Sequence, residues 1–167
     1  MNCTETIRDI VSIWFYEDGF IQFSDPFNTP KEAYTVAELG VSKLSELLNR
    51  RHFSSCGDRY GSGVIDFSEN SAEIAVSTSS KNGLVSYTVK LTVPLYMDSA
   101  LTNSDRLLFS RRCDFIIEYV DGRYGLIRST SGGYSFGKSI SIGSKKKSNQ
   151  LVFTIKNLNG LQDILLT

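Results

Sequence analysis

The stretch AEIAVSTSSKNGLVSYTVKLTV (residues 72–93) predicts two antiparallel strands joined by a tight turn. Asn82-Gly83 lies near its centre, and this dipeptide favours the two-residue turn of a β-hairpin. After the turn, apolar and polar residues alternate, which is typical of a strand with one buried face. The apolar positions of that strand are Val85, Tyr87, Val89, Leu91 and Val93, and the polar positions are Ser86, Thr88, Lys90 and Thr92.

Further strands are predicted on both sides of this hairpin. GVIDFS (63–68) precedes it, and a long strand over residues 109–119 follows a polar connection. Asp121-Gly122 predicts a second hairpin to RYGLIRS (123–129). A third hairpin joins FGKSISIG (136–143) to QLVFTIK (150–156) through a lysine-rich loop, and LQDILL (161–166) is a short terminal strand or helix.

Two helices are predicted before the sheet. Over residues 4–17, Ile7, Ile10, Val11 and Trp14 follow the spacing of one helical face. A second helix is predicted to begin at Thr29-Pro30-Lys31-Glu32, which combines an N-cap, a proline at the first helical position and a glutamate at the third. Its apolar stripe contains Tyr34, Ala37, Val41, Leu44 and Leu48. FIQF (20–23) is a candidate short strand between the two helices.

The order of these elements predicts an α+β fold. Two N-terminal helices would pack on a curved, mostly antiparallel sheet of about six strands, in a single globular domain over residues 1–167. Cystatin-like and NTF2-like architectures have this general order of elements, so they are the nearest analogues. The analogy rests on element order alone.

Composition narrows the possible chemistry. The chain has one histidine, His52, and three scattered cysteines, Cys3, Cys56 and Cys113, and its formal net charge is zero. We therefore expect no disulfide framework, no metal site and no cofactor. No apolar run reaches the length of a membrane span, and charged residues interrupt the N-terminus where a signal peptide would be apolar. These features predict a cytoplasmic protein.

No catalytic constellation is predicted. Gly133-Tyr134-Ser135-Phe136-Gly137 matches the pattern of a nucleophile elbow, but the residues after it alternate like a strand rather than a helix. His52, Cys56 and Asp58 would share a site only if the second helix continued through them. The glycine-rich segment 57–63 precedes a strand, whereas phosphate-binding loops follow one.

An acidic, aromatic segment suggests a surface for a protein partner. Residues 1–49 carry eight acidic and three basic side chains. In the predicted helix, Phe15 and Tyr16 lie off the apolar stripe, so one of them is expected to be exposed. An exposed aromatic residue ringed by carboxylates would suit a basic protein partner. The candidate binding residues are Phe15, Tyr16, Glu17, Asp18 and Asp25.

The functional prediction is therefore a non-enzymatic protein-binding module, most concretely an inhibitor or immunity-type protein that neutralises a toxin-like partner. The alternative is a single-stranded nucleic-acid-binding module that uses basic residues interleaved with aromatic ones on a sheet face. Its candidate residues are Arg111, Arg112, Arg123, Arg128, Lys145, Lys146 and Lys147. A third possibility is a small-ligand or enzymatic pocket inside a cone-shaped sheet, with His52 or Asp58 near its mouth.

Overall fold

The computed structural model describes residues 3–17, 19–24, 33–48, 62–65, 72–94, 112–129, 134–142, 147–157 and 160–166. Within these ranges the chain forms eleven strands, one 3-10 helix (Ala37–Leu39) and one short α-helix, α1 (Ser45–Leu48). The strands are β1 (Cys3–Ile7), β2 (Ile10–Glu17), β3 (Ala33–Thr35), β4 (Ser62–Ile65), β5 (Glu73–Lys81), β6 (Leu84–Pro94), β7 (Cys113–Tyr119), β8 (Tyr124–Ile127), β9 (Tyr134–Ile142), β10 (Lys147–Asn157) and β11 (Leu161–Leu165).

The strands form two sheets. The five-stranded sheet has the order β1-β5-β6-β10-β9, and the six-stranded sheet has the order β3-β11-β8-β7-β2-β4. Neighbouring strands are antiparallel except for β3 and β11, which are parallel. The predicted hairpins at Asn82-Gly83 and Asp121-Gly122 are confirmed, as is the β9–β10 pair. Asn82 and Gly83 both have positive φ angles, as the tight turn requires.

The main core lies between the two sheets. The five-stranded sheet contributes alternate residues of β5, β6 and β10, and the six-stranded sheet contributes residues of β2, β4, β7 and β8. Phe115 of β7 and Phe153 of β10 meet across this core, with ring centroids 4.8 Å apart in a tilted arrangement. The alternation seen in residues 85–93 therefore points one side of β6 into a sandwich core.

A second apolar cluster covers the outer face of the six-stranded sheet. Leu39, Leu44 and Leu47 of the segment 33–48 pack over Trp14 and Tyr16 of β2. The carbonyl oxygens of α1 accept hydrogen bonds from this strand: Trp14 Nε1 donates to Leu48 O, and the Tyr16 hydroxyl donates to Leu47 O, both at 3.1 Å. The six-stranded sheet is therefore buried on both faces.

The helix predicted over residues 4–17 is wrong, because this segment contributes β1 and β2 to different sheets. β2 is buried on both faces, so its sequence IVSIWFYE (10–17) is a nearly continuous apolar run. The periodicity of such a run does not distinguish a buried strand from a buried helix. A bulge between Ile10 and Ser12 also brings Ile10 and Ile13 into the inner core at a spacing of three, which imitates a helical turn.

The second predicted helix is also wrong. Its predicted start at residues 29–32 lies outside the described residues, and the part that follows forms β3, the 3-10 helix and α1. Gly40 ends the 3-10 helix in a left-handed conformation, with φ of 78°. A long helix through this glycine is therefore interrupted. The predicted apolar stripe does pack inward at Tyr34 and Leu44, but from several short elements.

The α+β prediction is corrected accordingly: the described chain is mostly β, with two sheets in place of one curved sheet under two helices. The analogy with cystatin-like and NTF2-like architectures is therefore wrong as well, because it rested on the predicted order of helices and strands. FIQF (20–23) is not a strand, whereas the end of the chain does form one, β11. Among the described residues, none of the helices has the length and apolar character needed to cross a bilayer.

Candidate functional site

The outer face of the five-stranded sheet differs from that of the six-stranded sheet. Inward positions of β6 and β10, such as Val89, Leu91 and Phe153, are fully buried. The intervening positions point away from the core, and each described side chain there is exposed or half-buried. This sheet therefore has one face in the core and one face accessible to a partner.

Hydroxyl side chains dominate that accessible surface, which we name the hydroxyl face. Its described positions are Thr6, Glu73, Ala75, Ser77, Ser79, Ser86, Thr88, Lys90, Thr92, Val152, Thr154 and Lys156. Each hydroxyl offers one hydrogen-bond donor and two acceptor lone pairs. Because they stand on paired strands rather than on loops, these groups are held in a regular and rigid array.

Two lysines and two threonines form a compact group on the hydroxyl face. Lys90 of β6 is the register partner of Thr154 of β10, and Thr88 is the partner of Lys156. Side chains directly opposite one another in antiparallel strands have Cβ atoms about 5 Å apart, and diagonal neighbours are about 7 to 8 Å apart. The two lysines therefore occupy one diagonal of this Lys–Thr quartet, and the two threonines occupy the other.

An ion pair lies at one edge of the hydroxyl face. Arg8, which follows β1, places Nε 3.2 Å from a carboxylate oxygen of Glu73 on β5. Both side chains are substantially exposed, so the pair contributes little to stability. The pair matters instead for the charge of the hydroxyl face. The Glu73 carboxylate already has a cationic neighbour in Arg8, whereas both lysine side chains of the quartet are exposed to solvent.

A buried polar cluster surrounds Arg128, at the end of β8. Its guanidinium carbon lies 3.9 Å from the centre of the Phe23 ring, and Nη1 donates a 2.8 Å hydrogen bond to the Tyr34 hydroxyl. Arg128 is only 6% exposed. The prediction that Arg128 belongs to an accessible basic face is therefore wrong. Its contacts instead join the end of β8 to strand β3 and to Phe23, which lies in the segment 19–24 that covers the sheet.

The backbone of Arg128 and the next residue, Ser129, also form hydrogen bonds within the protein. The backbone N–H of Ser129 donates to Asp114 Oδ1 at 2.7 Å, and the Ser129 hydroxyl donates to the carbonyl of Cys113. Asn157 Nδ2 donates to the backbone carbonyl of Arg128 at 3.1 Å, so β10 of one sheet is tied to the end of β8 in the other. This arrangement is typical of a structural network.

Three of the five residues predicted to bind a protein partner are buried. The expectation that Phe15 or Tyr16 is exposed is wrong, since they are 1% and 0% exposed. Phe15 lies in the core between the sheets, and Tyr16 lies under α1. Glu17 is buried as well, while Asp18 and Asp25 lie outside the described residues. The buried aromatic rings cannot anchor a partner in this fold.

Those of the other predicted basic residues that the structure describes do not gather on one face. Arg112 precedes β7, whereas Arg123 follows it in the hairpin turn, so a strand of about 20 Å separates them. Arg123 Nε lies 2.6 Å from an Asp121 carboxylate oxygen. Lys147 begins β10 in the other sheet. Arg111, Lys145 and Lys146 lie outside the described residues.

The electrostatics of the Asp121-Gly122 hairpin follow from its contacts. Hydrogen bonds from the backbone N–H and the side chain of Arg123 hold the pKa of the Asp121 carboxyl below its ordinary value. Nearby, burial raises the pKa of Tyr119 well above its ordinary value, and the Asp163 carboxylate adds to the rise. The lowered pKa therefore belongs to a residue of the hairpin turn, and the raised pKa belongs to a tyrosine of the core.

Among the residues that the structure describes, the remaining chemical candidates form no assembled site. Ser135 lies within β9, which confirms the interpretation of this glycine-containing segment as a strand. His52, Cys56 and Asp58 lie outside the described residues, as does most of segment 57–63. In the described part of the chain, no three His, Cys, Asp or Glu side chains are grouped to hold a metal ion. The third possibility was a ligand pocket enclosed by a single cone-shaped sheet. The structure instead has two sheets, and apolar side chains pack between them.

Comparisons of the chain with protein-family models, with curated proteins and with solved structures found no match. The hydroxyl face was not among the binding surfaces predicted from the sequence. The polar residues that alternate with the apolar ones in β6 indicate this face, and they are Ser86, Thr88, Lys90 and Thr92.

Proposed function

We propose that this chain is a protein-binding module that acts through its hydroxyl face and not through catalysis. The observation that carries the proposal is the contrast between the two sheets. The six-stranded sheet is covered on both sides by its own chain, whereas the outer side of the five-stranded sheet keeps every described side chain at least partly accessible. An inhibitor that neutralises another protein by covering it is the most concrete form of such a module.

The composition of the hydroxyl face supports a polar and reversible contact. Serine and threonine hydroxyls provide adaptable hydrogen bonding, as they do in the polar interfaces of antibodies. Ala75, Val152 and the threonine methyl groups add modest apolar area between them. The strands are hydrogen-bonded across the whole sheet, so less conformational entropy is lost on binding than with a loop-based surface.

The two sheet faces allow a matched test. A tagged chain carrying Thr88→Trp and Thr154→Trp places two large uncharged side chains in the centre of the hydroxyl face. A second chain carrying Val11→Trp and Val120→Trp adds the same bulk at exposed positions associated with the six-stranded sheet. Each chain is used to capture partners in its native host, and the captured proteins are quantified by mass spectrometry against the unmodified chain.

We expect a stoichiometric partner to be lost from the first variant, by about tenfold or more, and retained by the second. Thermal unfolding of both variants checks that the fold is intact. If the hydroxyl-face variant captures the same partner as the unmodified chain, the proposed surface is wrong.

A further inference from the structure

The charge of the hydroxyl face differs from that of the chain as a whole. The chain has 18 basic and 18 acidic residues and no net charge. On the described part of the hydroxyl face, Lys90 and Lys156 are exposed, and the one carboxylate, Glu73, lies beside Arg8 at the edge. The positive potential of this face is therefore local, and it arises from how the strands place a few side chains.

We infer that the Lys–Thr quartet recognises an acidic surface of a protein partner, an inference that rests on the proposed function. Lys90 and Lys156 would pair with carboxylates, and Thr88 and Thr154 would donate hydrogen bonds to the same groups. Lysine is a compact charge on a flexible stem, so one quartet accommodates several arrangements of aspartate and glutamate. Complementary charge of this kind increases the rate of association and selects among partners.

The chemistry of the hydroxyl face favours carboxylates over nucleic acid. Single-stranded nucleic acids bind to platforms on which aromatic rings stack with the bases. Among the described side chains of the hydroxyl face there is no aromatic ring, and Tyr87 of β6 instead contacts Gly160. The described hydroxyls and two lysines of this face offer charge and hydrogen bonds but no stacking surface.

The test uses two anionic probes of equal length, a fluorescein-labelled oligoglutamate peptide and a labelled oligothymidylate. Binding of each probe to the full chain is measured by fluorescence anisotropy as the salt concentration is raised. The quartet variant is Lys90→Glu with Lys156→Glu. The matched control is Lys43→Glu with Arg112→Glu, which makes the same change in net charge at exposed residues outside the hydroxyl face.

We expect the oligoglutamate to bind more tightly than the oligothymidylate, and we expect the quartet variant to weaken its binding by about tenfold while the control variant changes it little. Equal weakening by the two variants would overturn the inference, because net charge alone would then account for binding. Tighter binding of the oligothymidylate would also overturn it. Should the quartet variant unfold, Lys90→Ala with Lys156→Ala serves in its place, with a smaller loss expected.

Failure of this inference is distinguishable from failure of the proposed function. Capture of a partner that is lost with Thr88→Trp and Thr154→Trp but unaffected by Lys90→Glu and Lys156→Glu would retain the hydroxyl face and reject an acidic partner. Capture unaffected by either pair of substitutions would reject both.

Discussion

The guanidinium of Arg128 stacks on the ring of Phe23, with the guanidinium carbon 3.9 Å from the ring centre. Arg128 lies just after β8 in the six-stranded sheet, and Phe23 lies in the segment 19–24 that covers it. The same guanidinium donates to the hydroxyl of Tyr34 on β3. One buried cation therefore joins the end of β8 to strand β3 of the same sheet and to the segment 19–24 that covers it.

Arg128→Ala should destabilise the protein by about 3 kcal/mol or more. The substitution removes a charged hydrogen bond, the packing of the arginine stem and the stacking on Phe23. Urea unfolding measures the change, and Arg112→Ala serves as the exposed control, with an expected change of about 0.5 kcal/mol or less. Similar losses for the two variants would contradict a structural role for Arg128.

Gly125→Ala should destabilise the protein by about 1 to 3 kcal/mol through overpacking. A Cβ atom at this position would overlap the Tyr119 hydroxyl oxygen and lie 3.1 Å from the ring carbon that carries it. Tyr119→Phe removes the oxygen, so the same alanine should cost less in that background. A double-mutant cycle by urea unfolding measures this coupling, and strict additivity would show that the two residues do not meet.

Substitutions in β2 should follow the bulged strand and not a helix. Val11 is 48% exposed, whereas Ile13 is completely buried. Val11→Lys is expected to change the free energy of unfolding by about 0.5 kcal/mol or less, and Ile13→Ala should cost about 2 to 5 kcal/mol. The predicted helix places Val11 on its buried stripe, so a large loss from Val11→Lys would favour the helix instead.

The carboxyl of Asp121 should titrate below its ordinary pKa, because it accepts hydrogen bonds from the backbone and the side chain of Arg123. Since this pKa is lower in the folded than in the unfolded state, its contribution to stability is present above the unfolded pKa and is lost as the pH falls through the folded value. Both side chains are largely exposed to solvent, so the effect on unfolding is small. Carboxyl-detected NMR titration checks it directly: Arg123→Ala should raise the Asp121 pKa toward the ordinary value, and an unchanged titration would exclude the contact.

The hairpins were predictable because their signals are local. Asn82-Gly83 and Asp121-Gly122 each specify a tight turn within two or three residues. In β6, apolar and polar residues alternate because only one face of the strand is buried. The N-terminal half was not predictable in the same way. β2 is buried between the sandwich core and a covering segment, and burial of its second face by residues 33–48 is a long-range property that no local pattern reports.

The candidate site depended on the same long-range information. Phe15 looks like a surface residue only when the packing of the two sheets is unknown, and Tyr16 and Arg128 do so only when the cover on the six-stranded sheet is unknown. In contrast, Lys90 and Thr88 could be placed on a solvent face from the β6 alternation alone. The strand order that sets β10 beside β6, and so brings Lys156 next to Thr88, required the structure.

Site-specific photo-crosslinking tests the central claim most directly, because it reports which surface touches the partner. A benzophenone amino acid is introduced in place of Thr88, on the hydroxyl face, and separately in place of Val120, an exposed residue of the β7–β8 hairpin. We predict a protein adduct from position 88 that the unmodified chain competes away and the Thr154→Trp variant does not. An adduct from position 120 with none from position 88 would contradict it.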